Sequence, residues 1–219
     1  MKILIIFGFF YFFVFHYYTY FFKTILNVLG FNINIQTKYL PSKIIMISSH
    51  TSIYDFFVGM LIYYAYFHEK YTLYCLMKRL FESIASPLLL FIDNKVKIIS
   101  VDKTKSGLTQ KIIDTLQNKD NYLISIAPEG TRKLNETLRK GYWIIAKELN
   151  IDIVYLGIDF HKKYIHLEKN RKVNDLWDIE KELFVKDAVK YTPLYPEKFY
   201  WTKDYYLIKS ESESESESK

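Results

Sequence analysis

From residue 44 onward, short apolar runs alternate with longer segments whose apolar residues repeat at helical spacing. Short runs rich in Ile, Val, Leu and Tyr are typical of buried strands. Interspersed strands and helices bury their apolar surfaces together when helices cover a sheet. The pattern therefore predicts an α/β fold, in which a single domain has a mixed, mostly buried sheet flanked by helices.

The alternation resolves into individual strands and helices. The predicted strands are Ile44–Ser48, Tyr71–Met77, Val96–Asp102, Tyr122–Ala127, Ile151–Phe160 and Lys163–Glu168. The predicted helices are 51–67, 81–91, 104–118, 136–149 and 178–191. Thr51 and Ser52 are good N-cap residues, so we expect the first of these helices to begin there. The last two strands are expected to pair through a turn at His161–Lys163.

The N-terminus carries a long apolar segment. Ile3–Phe22 is a run of 20 residues without a formal charge when His16 is neutral. As a helix it would measure about 30 Å, the thickness of the hydrocarbon layer of a membrane. A secretory signal peptide is disfavoured because no small-residue cleavage site follows. We predict a hydrophobic membrane anchor over residues 1–30, and tyrosines in its second half leave open whether it spans the membrane or lies in the interface.

The C-terminal tail differs from the rest of the chain in charge. The chain has a formal net charge of +6, and residues 210–219 carry four Glu and one Lys, so residues 1–209 carry +9. Alternating Ser and Glu cannot form a core, and this tail is predicted to be disordered. A basic body attracts anionic lipid headgroups, acidic proteins and nucleic acid, and charge alone does not choose among them.

The composition also bears on disulfides and metals. Cys75 is the only cysteine, so the chain can form neither an intramolecular disulfide nor a cysteine-based zinc site. It lies in the apolar run "TLYCLM" and is predicted to be an inert core residue. No cluster of His with Cys or Glu has the spacing of metal ligands, so no metal site is predicted.

Two polar motifs each follow a predicted strand, where α/β folds place their ligands. The first is "SSHTSIYD", in which His50 and Asp55 are five residues apart. The two side chains can meet if His50 lies in the loop and Asp55 lies in the first helical turn. The carboxylate would then hold one imidazole nitrogen and leave the other as a base. Taken alone, the pair equally fits a structural histidine beside a helix N-cap.

The second motif is "APEGTRK", at Ala127–Lys133. Pro and Gly force a turn, Thr131 offers a hydroxyl, and Arg132 offers a planar fork of donors, which together suit a phosphate. Glu129 is unexpected beside an anion, and we expect it to orient the arginine or to bind a substrate hydroxyl. The alternative is a solvated turn with a surface arginine.

The succession of "HTSIYD" and "PEGTR" resembles the glycerolipid acyltransferases typified by 1-acylglycerol-3-phosphate acyltransferase. That family carries an Asn-His-x4-Asp block, a block ending in Arg, a Pro-Glu-Gly-Thr-Arg block and an apolar block with Pro. The resemblance covers about residues 40–165. It departs from the family at Ser49, Lys103 and Tyr155, which stand in place of Asn, Arg and Pro. "KRLF", which begins at Lys78, resembles the family's segment between the first two blocks.

The resemblance implies a role for each motif. His50 would deprotonate the acceptor hydroxyl, and Asp55 would support the imidazolium that forms. The hydroxyl would attack the thioester of acyl-CoA or of an acyl-carrier protein, with no metal and no organic cofactor. The residues implied to hold or shape a phosphate-bearing acceptor are Glu129, Gly130, Thr131, Arg132, Lys103 and Lys78.

The resemblance also implies a setting for the protein. Residues 31–209 would form an acyltransferase domain, with its motif core at 44–167, that acts on a lysophosphatidic-acid-type acceptor in phospholipid biosynthesis. Expected partners are membrane lipids, the thioester donor and the lysophospholipid acceptor. No nucleic acid is expected, because the aromatic residues cluster in the N-terminal helix instead of among basic residues. We expect membrane association with the catalytic domain facing the cytoplasm.

Two alternatives remain open at this point. The same chemistry could act on another acceptor, such as glycerol 3-phosphate or a lysophospholipid. A catalytically silent membrane-binding protein could also share the fold, although an intact His50 and Asp55 argue against it.

Overall fold

The structure, a computed structural model, describes residues 19–78, 94–102 and 107–201. The predicted helix at 81–91, the Ser-Glu tail and residues 1–18 of the predicted anchor lie outside the described residues. Within the described ranges, no helix has both the length and the apolar character needed to cross a membrane. The anchor and the domain boundaries therefore stay predictions.

The described residues contain seven strands and five α-helices. The strands are β1 (Asn32–Asn34), β2 (Lys43–Ile47), β3 (Thr72–Lys78), β4 (Val96–Val101), β5 (Tyr122–Ile126), β6 (Asp152–Asp159) and β7 (Tyr164–Leu167). The helices are α1 (19–28), α2 (Ile53–Ile62), α3 (Leu108–Leu116), α4 (Gly141–Glu148) and α5 (Trp177–Ala188). Helix α2 continues as a π-helix over Tyr63–Phe67, and a 3₁₀ turn covers Pro196–Lys198.

The strands form one sheet in the order β1-β7-β6-β2-β5-β3-β4. Every neighbouring pair is parallel except β6 with β7, which form an antiparallel hairpin. Lys163 closes the hairpin turn with a φ of 50°. The predicted mixed sheet and the predicted turn at His161–Lys163 are both confirmed.

The register of the central strands brings their carboxyl ends to one edge of the sheet. Ile47 at the end of β2 lies beside Ile126 at the end of β5 and beside Tyr155 in β6. Strand β3 also runs parallel to β5. The carboxyl ends of β2, β3 and β5 therefore lie at the same edge of the sheet, where α/β folds bind their ligands.

Apolar side chains cover both faces of the sheet. One cluster joins Ile44 and Met46 of β2 to α1, α2 and the π-helix. The other joins Ile45 and Ile47 of the same strand to α3, α4 and α5. A strand covered on both faces reads as a continuous apolar run, as "IIMI" does. Cys75 is buried in the first cluster as predicted, and burial raises the pKa of its thiol to about 12.

Helix α1, the described part of the predicted anchor, packs against the domain. Leu26 is fully buried, and the Phe22 ring stacks on Tyr64 with centroids 4.8 Å apart. The Lys23 ammonium lies 4.9 Å from the centroid of the Tyr66 ring. This segment is therefore held to the π-helix by apolar and cation–π contacts.

The structure differs from the prediction in three places. Strand β1 was missed because "NIN" is short and polar, yet it pairs parallel with β7. The helix predicted over 51–67 changes from α to π geometry at Tyr63, where His68 N donates to Tyr63 O over 3.0 Å. The helix predicted over 136–149 begins only at Gly141, because the preceding residues fold back onto the loop after β5.

Candidate active site

His50 lies in the loop between β2 and α2, and the start of α2 fixes that loop. Ser52 is the N-cap of α2, and its Oγ accepts a hydrogen bond from Tyr54 N over 3.1 Å. In return, Asp55 Oδ2 accepts one from Ser52 N over 2.8 Å, which completes a capping box. The predicted helix start is confirmed, and the cap places Asp55 in the first turn beside His50.

A single carboxylate oxygen of Asp55 contacts three consecutive residues of this loop. Asp55 Oδ2 lies 3.2 Å from His50 Nδ1 and accepts a hydrogen bond from Thr51 N over 2.7 Å, in addition to the bond from Ser52 N. The Asp55 side chain is 9% exposed and that of His50 is 28% exposed. The carboxylate is thus fixed in place while the imidazole stays accessible to a substrate.

The geometry selects a tautomer for His50. A ring nitrogen that faces a carboxylate acting only as an acceptor must carry the proton, so Nδ1 is the donor. Nε2 then carries the lone pair, and it makes no hydrogen bond with the described part of the chain. An imidazole held in this way can accept a proton at Nε2.

Glu129, in the loop after β5, holds the loop that carries His50 through a hydrogen bond. Its Oε1 accepts a hydrogen bond from His50 N over 3.1 Å, and the residue is only 4% exposed. Its Oε2 is buried and has no hydrogen-bond partner among the described residues. Burial is the main cause that raises the pKa of this carboxyl, and the charge of Asp55 adds to it, while hydrogen bonds from the backbone N–H groups of Glu129 and His50 oppose both; the resulting pKa is about 8. The raised pKa favours the neutral form of Glu129 near pH 7.

Glu129→Gln should change how stability depends on pH. Because the folded pKa of Glu129 is about 8 and the ordinary value is 4.5, the folded state binds the extra proton between these values. The carboxyl therefore lowers the free energy of unfolding progressively as pH rises through this window. Glutamine mimics the neutral acid, so the variant should gain stability over the wild type as pH rises to about 8, with little further gain above it.

The measurement is chemical denaturation of both proteins at a series of pH values from about 5 to about 9. A difference in free energy of unfolding that stays constant across the series would show that Glu129 does not titrate in this window.

The loop after β5 forms the predicted turn. Gly130 N donates to Ala127 O over 3.0 Å, and Gly130 has a φ of 63° that favours glycine. Lys133 N donates to Thr131 Oγ1 over 3.2 Å. Arg132 is partly buried. The motif is thus a compact turn that presents a hydroxyl and a guanidinium at the same sheet edge as His50.

Lys78 and Lys103 are the two lysines predicted to help hold the acceptor. Lys103 lies outside the described residues. Of Lys78, the structure gives only the backbone, which ends β3 at this sheet edge. Their roles stay predictions. Within the described ranges, no group of three His, Cys, Asp or Glu side chains could hold a metal ion.

Tyr155 is a residue of this region that sequence reasoning did not connect to His50. Its hydroxyl donates to Ser49 Oγ over 3.4 Å, directly before His50 in the chain. Tyr155 is 2% exposed, and burial raises the pKa of its phenol. Ser49 and Tyr155 are two of the positions where the motifs depart from the family pattern. The structure shows that they contact each other, and no signal in the sequence links them.

The fold and the site together define a class of protein, since a His-Asp pair and a Pro-Glu-Gly-Thr-Arg turn meet at one edge of an α/β sheet. A family model described as Acyltransferase matches residues 32–159, which include both motifs. The chain therefore belongs to the acyltransferase family, which includes the glycerolipid acyltransferases. Comparison with curated proteins and with solved structures gives no match for the chain.

Proposed function

We propose that the protein transfers a fatty acyl group from an acyl thioester to the hydroxyl of a lysophosphatidic-acid-type acceptor, in phospholipid biosynthesis. Acyl transfer in general follows from the family. The observation that supports the finer proposal is the arrangement of the site. A base-competent His50, fixed by Asp55, lies against the Glu129 carboxyl of the loop that carries Arg132.

In the proposed mechanism, His50 Nε2 takes the proton of the acceptor hydroxyl as the oxygen attacks the thioester carbonyl carbon. The carbon–sulfur bond then breaks, and the leaving thiolate takes the proton back from the imidazolium. Asp55 keeps the imidazole in the required tautomer and stabilises its charged form. No protein nucleophile, metal or organic cofactor is needed for this sequence of steps.

The phosphate of the acceptor is assigned to the loop after β5. Arg132 can form charge-assisted, bidentate hydrogen bonds with a phosphate, and Thr131 adds a hydroxyl. A neutral Glu129 removes the repulsion that a carboxylate would exert on the anion. Lys78 and Lys103 are proposed to assist, since β3 and β4 run parallel to β5 and end at the same edge.

Membrane association is part of the proposal, with the catalytic domain facing the cytoplasm. A lipid acceptor and a lipid product both favour work at a membrane surface. Four aromatic side chains on α1 and α2 support it, each more than half exposed: Tyr20 (69%), Phe21 (59%), Tyr54 (56%) and Phe57 (56%). Exposed aromatic side chains are suited to the membrane interface, and α2 begins beside His50.

Arg132→Ala tests whether the acceptor carries a phosphate. Each charge-assisted bond from the guanidinium is worth about 1.5–3 kcal/mol. We therefore expect kcat/KM for lysophosphatidic acid to fall about ten- to a hundred-fold or more. Arg132→Lys should recover only part of the loss, because a point charge cannot reproduce the fork. The measurement is steady-state kinetics with the acceptor varied at a fixed acyl-CoA concentration.

Monoacylglycerol, which lacks the phosphate, is the matched control acceptor. Its kcat/KM should change little in Arg132→Ala. Equal losses for acceptors with and without phosphate would make Arg132 a structural support of the loop, and would move the search to unphosphorylated alcohols.

A further inference from the structure

The loop that begins with the Pro-Glu-Gly-Thr-Arg turn folds back onto its own start. Asn135 Nδ2 donates to Glu129 O over 3.1 Å and to Thr137 O over 2.8 Å. Arg139 N donates to Pro128 O over 2.8 Å. These bonds return the chain to the turn, so Arg139 lies beside residues that precede it by about ten positions in sequence.

The side chain of Arg139 packs directly on Gly130. A Cβ atom built on Gly130 would lie 2.4 Å from Arg139 Nε and 2.6 Å from Arg139 Cδ. Cβ atoms do not approach other atoms so closely, so any side chain at this position would displace the arginine. The glycine of the motif therefore serves two purposes, because it adopts a positive φ and it admits the Arg139 guanidinium to the turn.

The positive charge of Arg139 has no acidic partner within the described part of the chain. The residue is exposed, and its guanidinium forms no hydrogen bond and no ion pair within the described part of the chain. Glu136, three residues before it and exposed, forms no ion pair with it, and the buried Glu129 directs its Oε1 to the backbone of His50. A guanidinium that is packed in place but unpaired is suited to an external anion.

We infer that Arg139 is a second guanidinium of the anion site, and that with Arg132 it binds a phosphate monoester of a substrate. This inference rests on the proposed function, which supplies two sources of that chemistry. One is the phosphate of the acceptor, and the other is the 3′-phosphate of coenzyme A. Both arginines belong to the loop between β5 and α4, and Arg139 reaches the turn through contact with Gly130.

Direct binding tests the inference without requiring turnover. Titration calorimetry on the full chain would compare the wild type with Arg139→Gln, which keeps much of the aliphatic stem over Gly130 and removes the charge. The probes are glycerol 3-phosphate against glycerol, and coenzyme A against dephospho-coenzyme A. Lys119→Ala, which removes an exposed cation after α3, is the matched control.

We expect Arg139→Gln to raise the Kd of one phosphate monoester about ten-fold, as the loss of one charge-assisted hydrogen bond implies. Arg139→Lys should lose less, and Lys119→Ala should bind as the wild type does. A loss confined to glycerol 3-phosphate assigns Arg139 to the acceptor. A loss for coenzyme A that is absent for dephospho-coenzyme A assigns it to the donor.

Unchanged Kd values for both monoesters, equal losses for glycerol and dephospho-coenzyme A, which lack the monoester, or a wild type that binds neither monoester would each overturn the inference. Gly130→Ala supplies a second variant, because it should weaken the same probe and add little when combined with Arg139→Gln. A wild type that binds these probes but transfers no acyl group would overturn the proposed function alone, so the two failures are distinguishable.

Discussion

His50→Ala should abolish acyl transfer while the fold stays intact. A positioned general base contributes about 10²–10⁴-fold to a rate, and the contact of His50 Nδ1 with Asp55 leaves Nε2 for this role. His50 is partly exposed and its backbone makes the contact with Glu129, so alanine should leave the loop in place. The measurement is thioester consumption by the purified variant in the presence of lysophosphatidic acid, with thermal unfolding as the check on the fold.

His161→Ala is the matched control for this variant. His161 is an exposed histidine in the turn between β6 and β7, and its loss should leave the rate unchanged. If His50→Ala retained most of the wild-type rate, the proposed mechanism would be wrong, and the His-Asp pair would be a structural element of the helix cap.

Asp55→Asn should lower kcat by about two to four orders of magnitude. Asparagine can keep one oxygen toward Thr51 N and Ser52 N, so the cap of α2 should survive. The negative charge that stabilises the imidazolium is lost, although the amide oxygen in the place of Oδ2 still faces His50 Nδ1. The measurement is the kcat of the variant as a function of pH, with the acceptor saturating.

Ser52→Ala distinguishes the effect of the Asp55 charge on the rate from the effect of the helix cap. It removes the bond from Tyr54 N to Ser52 Oγ and should cost about 1 kcal/mol of stability. Its rate should fall far less than that of Asp55→Asn. Comparable rates for the two variants would mean that Asp55 acts only through the cap.

The sheet could be predicted because its strands are buried on both faces. All six predicted strands are present as β2 to β7, since continuous runs such as "IIMI" are apolar enough to identify without partners. Strand β1 carries no such signal, because its three residues are fixed by pairing with β7 and not by burial.

Long-range polar contacts account for most of what the sequence could not predict. Glu180 on α5 is fully buried, and it is compensated by Arg171, whose guanidinium nitrogens lie 2.7 and 2.9 Å from its carboxylate oxygens. Tyr142 donates to the same carboxylate over 3.2 Å. In the sequence, none of these three residues differs from an ordinary polar or aromatic residue. Their contacts could not be predicted because only the fold brings them together.

In the candidate site too, the local contacts could be predicted and the long-range contacts could not. The contact of His50 with Asp55 was predicted from spacing and from the N-cap, which are local properties. The contact of Glu129 with His50 N, the pairing of Tyr155 with Ser49 and the packing of Arg139 on Gly130 depend on neighbouring strands and on the folding back of a loop. Sequence spacing carries no information about these contacts.

The most direct test of the central proposal is a single assay of acyl transfer. The purified full-length protein would be given a panel of acyl-CoA donors of different chain lengths with lysophosphatidic acid, glycerol 3-phosphate or lysophosphatidylcholine as acceptor. We predict release of the coenzyme thiol that depends on lysophosphatidic acid, is matched by formation of the diacyl product, and is lost in His50→Ala. Thiol release that is independent of every acceptor, or that persists in His50→Ala, would contradict the proposal.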